Sequence, residues 1–224
     1  MKTICRIDHV VKQFGKNVVL NDFSLCVQPG EMLCIAGASG SGKSTILNVI
    51  GMFENVNEGQ IYLFDNPQPK LNSKKGRFLL QSKILYLFQN YALVDDKSVS
   101  YNLEIPLLTS KKSKKEKELL KRDALEKVGL TVPLSQKIYQ LSGGEQQRVS
   151  VARGFLRPFD LILADEPTGS LDEDNRNAIF QILSQFHDAG KTVILVSHDH
   201  YIIEHCSRVV WLENGQPVES KSKR

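Results

Sequence analysis

Short apolar runs in the first third of the chain predict strands separated by turns. Turn residues stand at Gly15-Lys16-Asn17 and at Gln28-Pro29-Gly30, where proline fixes φ and glycine permits an unusual φ. The third strand leads into a glycine-rich loop and a helix at residues 43–51, and a polar, lysine-bearing loop precedes the last strand. The predicted strands are residues 3–11, 18–27, 32–36, 58–64 and 83–88.

The pattern becomes helical between residues 90 and 140, where most of the lysine clusters lie. In residues 115–128, apolar positions recur mostly on one face, with the 3.6-residue period of a helix. Gly129 stands where a glycine would end that helix. This change of composition indicates an inserted helical subdomain. The apolar positions are Leu119, Leu120, Ala124, Leu125 and Val128.

Strands and helices alternate in the last third of the chain. Such alternation is typical of a parallel sheet that is covered by helices on both faces, so the predicted fold class is α/β. Strands are expected at residues 160–164, 192–197 and 208–212, and helices at residues 174–187 and 199–206.

The composition is that of an ordinary globular domain. Of the 224 residues, 41% are hydrophobic and 24% are charged, which excludes disordered, collagen-like and coiled-coil chains. The net charge of +4 is mild and does not by itself require nucleic acid or an acidic lipid surface. The 4 cysteines form no C-x-x-C pair, so they predict buried small side chains rather than a metal site.

The chain is expected to stay in the cytosol. Charge-free stretches such as residues 32–42 fall well short of the roughly 20 apolar residues that cross a bilayer. The first residues, Met-Lys-Thr-Ile-Cys-Arg-Ile-Asp, lack the apolar core and the cleavage site of a signal peptide.

A phosphate-binding loop is predicted between the strand at residues 32–36 and the helix after it. The segment Gly37-Ala38-Ser39-Gly40-Ser41-Gly42-Lys43-Ser44 matches the pattern G-x-x-x-x-G-K-[ST]. Backbone N–H groups must wrap a β-phosphate here, so side chains must be absent where the loop curls. Lys43 is expected to reach the β- and γ-phosphates and Ser44 to ligate Mg²⁺, while Thr45 completes the nucleotide-binding set.

Two adjacent carboxylates follow the apolar run at residues 161–164. A strand that ends in a carboxylate places its charge at the edge of the sheet where open α/β sheets bind ligands. Behind a phosphate-binding loop, Asp165 is expected to hold Mg²⁺ through water, and Glu166 to orient or deprotonate an attacking water.

The segment Leu141-Ser142-Gly143-Gly144-Glu145-Gln146-Gln147-Arg148 identifies a family, because it resembles the signature of ATP-binding cassette (ABC) ATPases. The resemblance implies a P-loop NTPase of the ABC type, with a mixed or parallel core sheet, an N-terminal antiparallel β subdomain and an inserted α-helical subdomain. It covers nearly the whole chain. The implied organisation is a single ABC ATPase domain over residues 1–224, with the core at about 1–89 and 158–224 and the helical subdomain at about 90–157.

The resemblance implies that this signature is a second anion site. Ser142, Gly143 and Gly144 open a helix whose N-terminus faces the γ-phosphate of the ATP that is bound to the other subunit. Two copies of the chain then form a head-to-tail dimer with ATP sandwiched between them. The implied cofactors are ATP and Mg²⁺.

Smaller motifs acquire roles from the same resemblance. Gln89 matches the glutamine that senses Mg²⁺ and the attacking water, and His198 matches the histidine that contacts the γ-phosphate and the general base. Ser170-Leu171-Asp172 matches the loop that crosses the dimer interface. Phe14 stands where the family usually has a tyrosine that stacks on adenine, and a phenyl ring can stack in the same way.

The branch of the family is indicated by several short segments. Residues 85–94 and 101–108 are similar to ATPase subunits of lipoprotein-release and macrolide or antimicrobial-peptide efflux systems. Residues 71–75, 136–144 and 164–172 resemble exporters of lactococcin 972-type bacteriocins. The resemblance thus implies an integral membrane permease subunit as partner, no nucleic acid, and a place on the inner face of the cell membrane.

Two other functions of the same motifs remain open. One is an ABC ATPase of a membrane-associated complex that transports nothing, such as a cell-division or cell-wall regulatory system. The other is an ABC ATPase that acts on DNA or on the ribosome, although this chain has no room for a coiled coil and carries one cassette. The lysine-rich residues 111–122 are expected to form a solvated helix face or a weak contact with anionic lipid.

Overall fold

The structure is a computed structural model that describes residues 2–169 and 171–219. Its strands are β1 (Cys5–Phe14), β2 (Asn17–Val27), β3 (Met32–Ala36), β4 (Glu58–Leu63), β5 (Asn66–Pro67), β6 (Ile84–Leu87), β7 (Leu161–Asp165), β8 (Thr192–Val196), β9 (Arg208–Glu213) and β10 (Gln216–Glu219). Its helices are α1 (Lys43–Ile50), α2 (Lys74–Ser82), α3 (Val99–Glu104), α4 (Lys114–Lys127), α5 (Gly143–Ala152), α6 (Glu173–Asp188) and α7 (His200–His205).

The strands form two sheets. The smaller sheet has the antiparallel order β2-β1-β4-β5 and contains the N-terminal strands. The larger sheet has the order β10-β9-β3-β8-β7-β6, in which all neighbours are parallel except the hairpin of β9 and β10. This arrangement confirms the predicted α/β class, with a mixed core sheet and an N-terminal antiparallel sheet.

The larger sheet is buried on both faces. Leu33 and Ile35 of β3 pack with α1 and the smaller sheet, whereas the alternate residues Cys34 and Ala36 pack with α6 and the helices of the middle segment. Strands that are buried on both sides carry continuous apolar sequence, which explains why β3, β7 and β8 have no polar alternation.

Two elements and the exposure of one side chain differ from the sequence-based expectation. The predicted loop before residue 83 contains α2, which Ser73 caps by accepting a hydrogen bond from the Gly76 N–H. Gly76 is the only buried residue of α2, and polar residues outnumber its three apolar ones, so the sequence gives little sign of this helix. The hairpin strand β10 was also missed. Leu119 is 60% exposed and does not lie on the buried face of α4.

The lysine-rich segment does not form a uniformly solvated face. Lys121, only 6% exposed, and Lys117 place their Nζ atoms 2.6 and 2.8 Å from the two carboxylate oxygens of Glu104 on α3. Lys121 also donates a hydrogen bond to the Ser100 hydroxyl. The expectation of a solvated or lipid-facing run is therefore wrong for these two lysines, which fasten α4 to α3.

Helices α3, α4 and α5 occupy the middle of the chain, where the helical subdomain was expected. The division into core and helical subdomain stays a prediction. Over the residues described, no helix is both long and apolar enough to span a lipid bilayer.

Glu104→Gln is expected to lower the free energy of unfolding by about 2 kcal/mol at pH 7, because it leaves the buried Lys121 ammonium without a carboxylate. Lys117 and Lys121 hold the pKa of Glu104 below its usual value. The ion pair therefore contributes stability above the usual carboxylate pKa and loses it as the pH falls through the lowered value. The difference between the two proteins should shrink in that acidic window.

Urea titrations at several pH values measure this difference. Glu118→Gln is the control, since Glu118 pairs with Arg122 on the exposed side of α4 and should change the unfolding midpoint little. Equal midpoints for Glu104→Gln and the unchanged protein at pH 7 would contradict the role given to this ion pair.

Candidate functional site

The predicted site residues follow the C-terminal ends of neighbouring parallel strands. The phosphate-binding loop follows β3, Gln89 follows β6, Asp165 ends β7 and His198 follows β8. Because β6, β7, β8 and β3 are parallel and adjacent, these ends meet at one edge of the sheet. The topology brings together residues that lie far apart in the sequence.

The loop curls as the glycine pattern requires. Gly42 has φ 102°, and a Cβ on it would lie 2.5 Å from Cγ1 of Val19 on β2. Gly37 has φ 149°, and a Cβ there would lie 2.7 Å from the carbonyl oxygen of Leu212. Both positions combine a left-handed backbone with close packing, so only glycine fits them.

Lys43 begins α1 and bends back over the loop. Its Nζ donates hydrogen bonds to the carbonyl oxygens of Gly37 at 3.0 Å and of Ala38 at 2.8 Å, and its side chain is buried. The ammonium thus lies beside the N-terminus of α1, where the helix dipole adds positive potential. Together they form a cationic cradle for a phosphate group.

Ser44, Asp165 and Gln89 offer oxygen ligands to Mg²⁺. The Ser44 hydroxyl donates a 2.8 Å hydrogen bond to Oδ1 of Asp165, so the two oxygen atoms lie next to each other. Gln89 lines the same cleft of about 300 Å³, together with Lys43 and Glu166. A hydroxyl, a carboxylate and an amide are hard donors, and this set fits a magnesium ion that also binds phosphate oxygens.

Burial is the main reason that the pKa of Asp165 lies above its usual value, and the neighbouring Glu166 carboxylate adds to the increase. The Ser44 hydrogen bond and the Lys43 charge act in the opposite direction. A divalent cation beside this carboxylate would favour the ionised form.

Glu166 and His198 form a hydrogen-bonded pair. His198 Nδ1 lies 2.9 Å from Oε1 of Glu166, and the imidazole is exposed whereas the carboxylate is nearly buried. The second oxygen, Oε2, is buried and has no hydrogen-bond partner among the described residues. Glu166 also has φ 44°, an unfavourable backbone conformation for a side chain of this kind. An orphaned carboxylate oxygen in a cleft is suited to accept a hydrogen bond from a water.

The signature segment lies outside this cleft. Ser142 is the N-cap of α5 and forms a reciprocal capping box with Glu145, while Ser142 and Gly143 are exposed. Gly144 is buried, and a Cβ on it would lie 2.5 Å from Cγ of Asn175. Ser142, Gly143 and Gly144 are not among the described residues that line the phosphate cleft of their own chain.

Asp172 and Phe14 also lie apart from the cleft lining. Asp172 caps α6, and its carboxylate accepts hydrogen bonds from Asn175, which lower its pKa. Phe14 ends β1 with 47% of its surface exposed. Ser170, the first residue of the predicted interface loop, lies outside the described residues. The nucleotide contacts of Asp172 and Phe14 stay predictions.

Two contacts near the site were not predicted from the sequence. Val19 lies against Gly42 and lines the phosphate cleft. Gln147 of α5 donates a buried 2.8 Å hydrogen bond to the carbonyl of Pro167, which joins the signature helix to the segment after Glu166. A valine in a strand and a glutamine in a helix carry no signal for such roles, so only the three-dimensional arrangement reveals them.

Comparisons with known proteins agree with this geometry. The family model described as ABC transporter matches residues 20–169. The macrolide export ATP-binding/permease protein MacB 2 of Yersinia pestis bv. Antiqua (strain Antiqua) is 36% identical over 226 residues, which are 99% of this chain and 33% of that protein. The MacB of Pectobacterium atrosepticum is 38% identical over 206 residues, 92% of this chain and 32% of its own length. The chain therefore spans about one third of the length of these curated relatives.

Solved structures show the same fold. The ATP-binding cassette MJ0796, in a dimeric post-hydrolysis state bound to ADP and Pi, has a TM-score of 0.90 and 31% identity, covering 98% of this chain and 99% of that one. A second dimeric structure of MJ0796, a bacterial ABC transporter cassette, has a TM-score of 0.91 at 31% identity with the same coverage.

Lys43→Ala is expected to abolish nucleoside triphosphate binding or to lower turnover by at least about 100-fold, because it removes the buried cation from the phosphate cradle. Binding of a fluorescent nucleotide and release of phosphate measure the two effects. Lys70→Ala, at an exposed position outside the cleft, is the control. Normal hydrolysis by Lys43→Ala would contradict the role of the loop.

Proposed function

The chain belongs to the ABC transporter family, and from that premise we propose that it is the ATP-hydrolysing cassette of an exporter, which dimerises on ATP and drives a membrane permease. The observation that supports this proposal best is that two hydrogen-bonded side-chain pairs lie at the same edge of the sheet as Lys43. Ser44 is bonded to Asp165, and Glu166 is bonded to His198, at one edge of the sheet. These are the groups that phosphoryl transfer to water needs.

The reaction is the hydrolysis of ATP to ADP and phosphate. Oε2 of Glu166 accepts a hydrogen bond from a water and takes its proton as the water oxygen bonds to the γ-phosphorus and the bond to the β-phosphate oxygen breaks. His198 holds the other oxygen of Glu166 and so fixes the direction in which Oε2 points. Ser44, Asp165 and Gln89 would hold a Mg²⁺ ion, which would neutralise charge on the phosphates when bound. Lys43 and the loop amides stabilise the charge on the transferring group.

A second copy of the chain would complete the site. The N-terminus of α5 is exposed at Ser142 and Gly143 and does not line the cleft of its own chain. In a head-to-tail pair, each α5 would direct its N–H groups at the γ-phosphate that is bound to the other copy. The dimeric form of the similar MJ0796 cassette supports this arrangement.

A groove lined by residues of β6 is our candidate for the contact with the permease. It measures about 330 Å³ and lies between α2, β6 and the segment after α3. Leu108, 70% exposed, and Ile105 give it an apolar wall. Arg153 and Arg157 line it as well. Their guanidinium groups donate hydrogen bonds to carbonyl oxygens, and within residues 2–169 and 171–219 neither forms an ion pair with a carboxylate. Burial lowers the pKa of both, that of Arg153 to about 10. Such a groove suits an amphipathic helix with a carboxylate.

The cargo and the location follow from the branch of the family. The curated relatives are named as macrolide export proteins with an ATP-binding and a permease part. We propose export of a drug or a peptide, with a lactococcin 972-type bacteriocin as the finer hypothesis. The permease would be a separate integral membrane subunit that holds this chain on the cytoplasmic face of the cell membrane. The alternative is a membrane-associated ATPase of a cell-division or cell-wall complex.

Glu166→Gln is expected to retain ATP binding, to lose at least about 100-fold in turnover and to form an ATP-dependent dimer, because the amide cannot take a proton from water. Phosphate release and size-exclusion chromatography with and without ATP measure these effects. Glu118→Gln, on the exposed side of α4, should behave as the unchanged protein. Turnover at the ordinary rate would show that Glu166 is not the base.

The permease contact is tested by a pull-down of tagged Glu166→Gln protein, with ATP and Mg²⁺, from detergent-solubilised native membranes. We expect a polytopic membrane protein to be recovered, and Leu108→Asp to lower its recovery because the change places a charge on the apolar wall. Leu119→Asp is the matched control, as Leu119 is 60% exposed on α4 and lies outside the groove. Recovery of ribosomes or DNA alone would contradict the transporter assignment.

Cargo and alternative function are then separated with the purified complex in lipid vesicles. A rise in ATPase rate with a macrolide or a peptide supports export. A rate that responds only to a cell-wall partner supports the non-transport complex.

A further inference from the structure

Phe14 borders the nucleotide site through the turn between β1 and β2. It pairs with Asn17 at the end of the β1–β2 hairpin. Asn17, Val18 and Val19 line a cleft with the phosphate-binding loop, and Val19 packs against Gly42 of that loop. The partly exposed phenyl ring thus belongs to the hairpin that borders the phosphate-binding loop, in a cleft that neither Glu166 nor His198 lines.

Lys12 lies directly against this ring. It is two residues before Phe14 on β1, and its Nζ atom is 4.4 Å from the ring centroid. Although it is a lysine, it is only 7% exposed. Its charge is paired, since Nζ donates hydrogen bonds to Oε2 of Glu54 at 2.9 Å and to the carbonyl oxygen of Asn55 at 2.8 Å.

The partners of Lys12 belong to the segment that follows the phosphate-loop helix. The N–H groups of Phe53 and Glu54 donate to the carbonyl of Asn48 in α1, at 2.9 and 3.2 Å. A continuous chain of contacts therefore runs from α1 through Glu54 and Lys12 to the ring of Phe14. This chain fixes the ring relative to the loop that would hold the phosphates.

The contact also makes the ring one-sided. A cation at 4.4 Å occupies one face of the phenyl ring, so a planar ligand can stack only on the other. Buried lysines are rare unless their charge is paired. Here the pairing with Glu54 stabilises the Lys12 ammonium against one face of the exposed Phe14 ring.

We propose that Lys12 is a positioning residue for the base of ATP, which acts by holding Phe14 as a one-faced platform for the adenine ring. This inference rests on the proposed ATPase function. Lys12 does not touch the reacting phosphates. Its removal should therefore weaken the binding of ligands that have a base and spare those that have only phosphates.

The test compares ATP with inorganic tripolyphosphate, which carries the phosphates without a base. Lys12→Met keeps most of the aliphatic chain and removes the cation. We expect the Kd for ATP to rise about threefold to tenfold, the Kd for tripolyphosphate to stay the same, and the rate at saturating ATP to change little. Isothermal titration calorimetry and phosphate release give these values.

Two further variants control for damage to the fold. Lys12→Arg keeps a cation behind the ring and should restore most of the ATP affinity. Lys83→Met is the matched control, because Lys83 also lies over a phenyl ring, that of Phe64 at 6.0 Å, and pairs with Asp160. It lies outside the lining of the phosphate cleft and should leave the Kd for ATP unchanged.

A double-mutant cycle tests whether Lys12 acts through Phe14. Phe14→Ala should raise the Kd for ATP, and adding Lys12→Met should raise it no further. If Phe14→Ala weakens ATP binding and Lys12→Met does not, this inference is overturned while the ATP site stands. If Lys12→Met weakens both ligands equally, its role is structural and the inference fails. If Phe14→Ala leaves ATP binding unchanged, the platform itself is absent and the base site must be sought elsewhere.

Discussion

The hydrogen bond between Ser44 and Asp165 is the contact on which the site depends. It joins the first turn of α1 to the end of β7 at 2.8 Å, and so fixes the phosphate-binding loop against the strand that carries the acids. Burial raises the pKa of Asp165 there, and the Ser44 hydrogen bond and the Lys43 charge counter this effect. A cation that binds Asp165 would stabilise the ionised carboxylate and the loop together. Ligand binding and the local electrostatics of the sheet edge are therefore linked.

Two residues next to this contact have positive φ angles. Glu166 has φ 44° immediately after Asp165, and Gly42 has φ 102° immediately before Lys43. A left-handed glutamate costs on the order of 1–3 kcal/mol. Its N–H donates to the carbonyl of Val196 in β8, and its carboxylate is held by His198, so the neighbouring strand maintains the conformation. The strain turns the glutamate out of the strand direction and into the cleft, which a regular continuation of β7 would not do.

Much of this arrangement could be predicted from the sequence, because its determinants are local. The glycines of residues 37–42 and the apolar run before Asp165 specify a loop and a strand end by their composition alone, and adjacent parallel strands must then bring their C-terminal ends together. The helix α2 and the exposure of Leu119 could not be predicted, since both depend on what packs against them. Lys12 is the clearest case. The two-residue spacing places it on the same strand face as Phe14, but nothing local indicates that Glu54 would make its burial tolerable.

The two ends of the proposed nucleotide site are thus built in different ways. The end near Phe14 is completed within one chain, since α1, Glu54 and Lys12 hold the ring in place. The end near the γ-phosphate is not, since Ser142 and Gly143 stand outside the cleft of their own chain. In the proposed function, a single copy would hold ATP by its base and by the phosphate-binding loop, whereas a second copy would supply the remaining anion-binding N–H groups. In the proposed function, ATP binding would therefore favour closure of the pair before hydrolysis releases it.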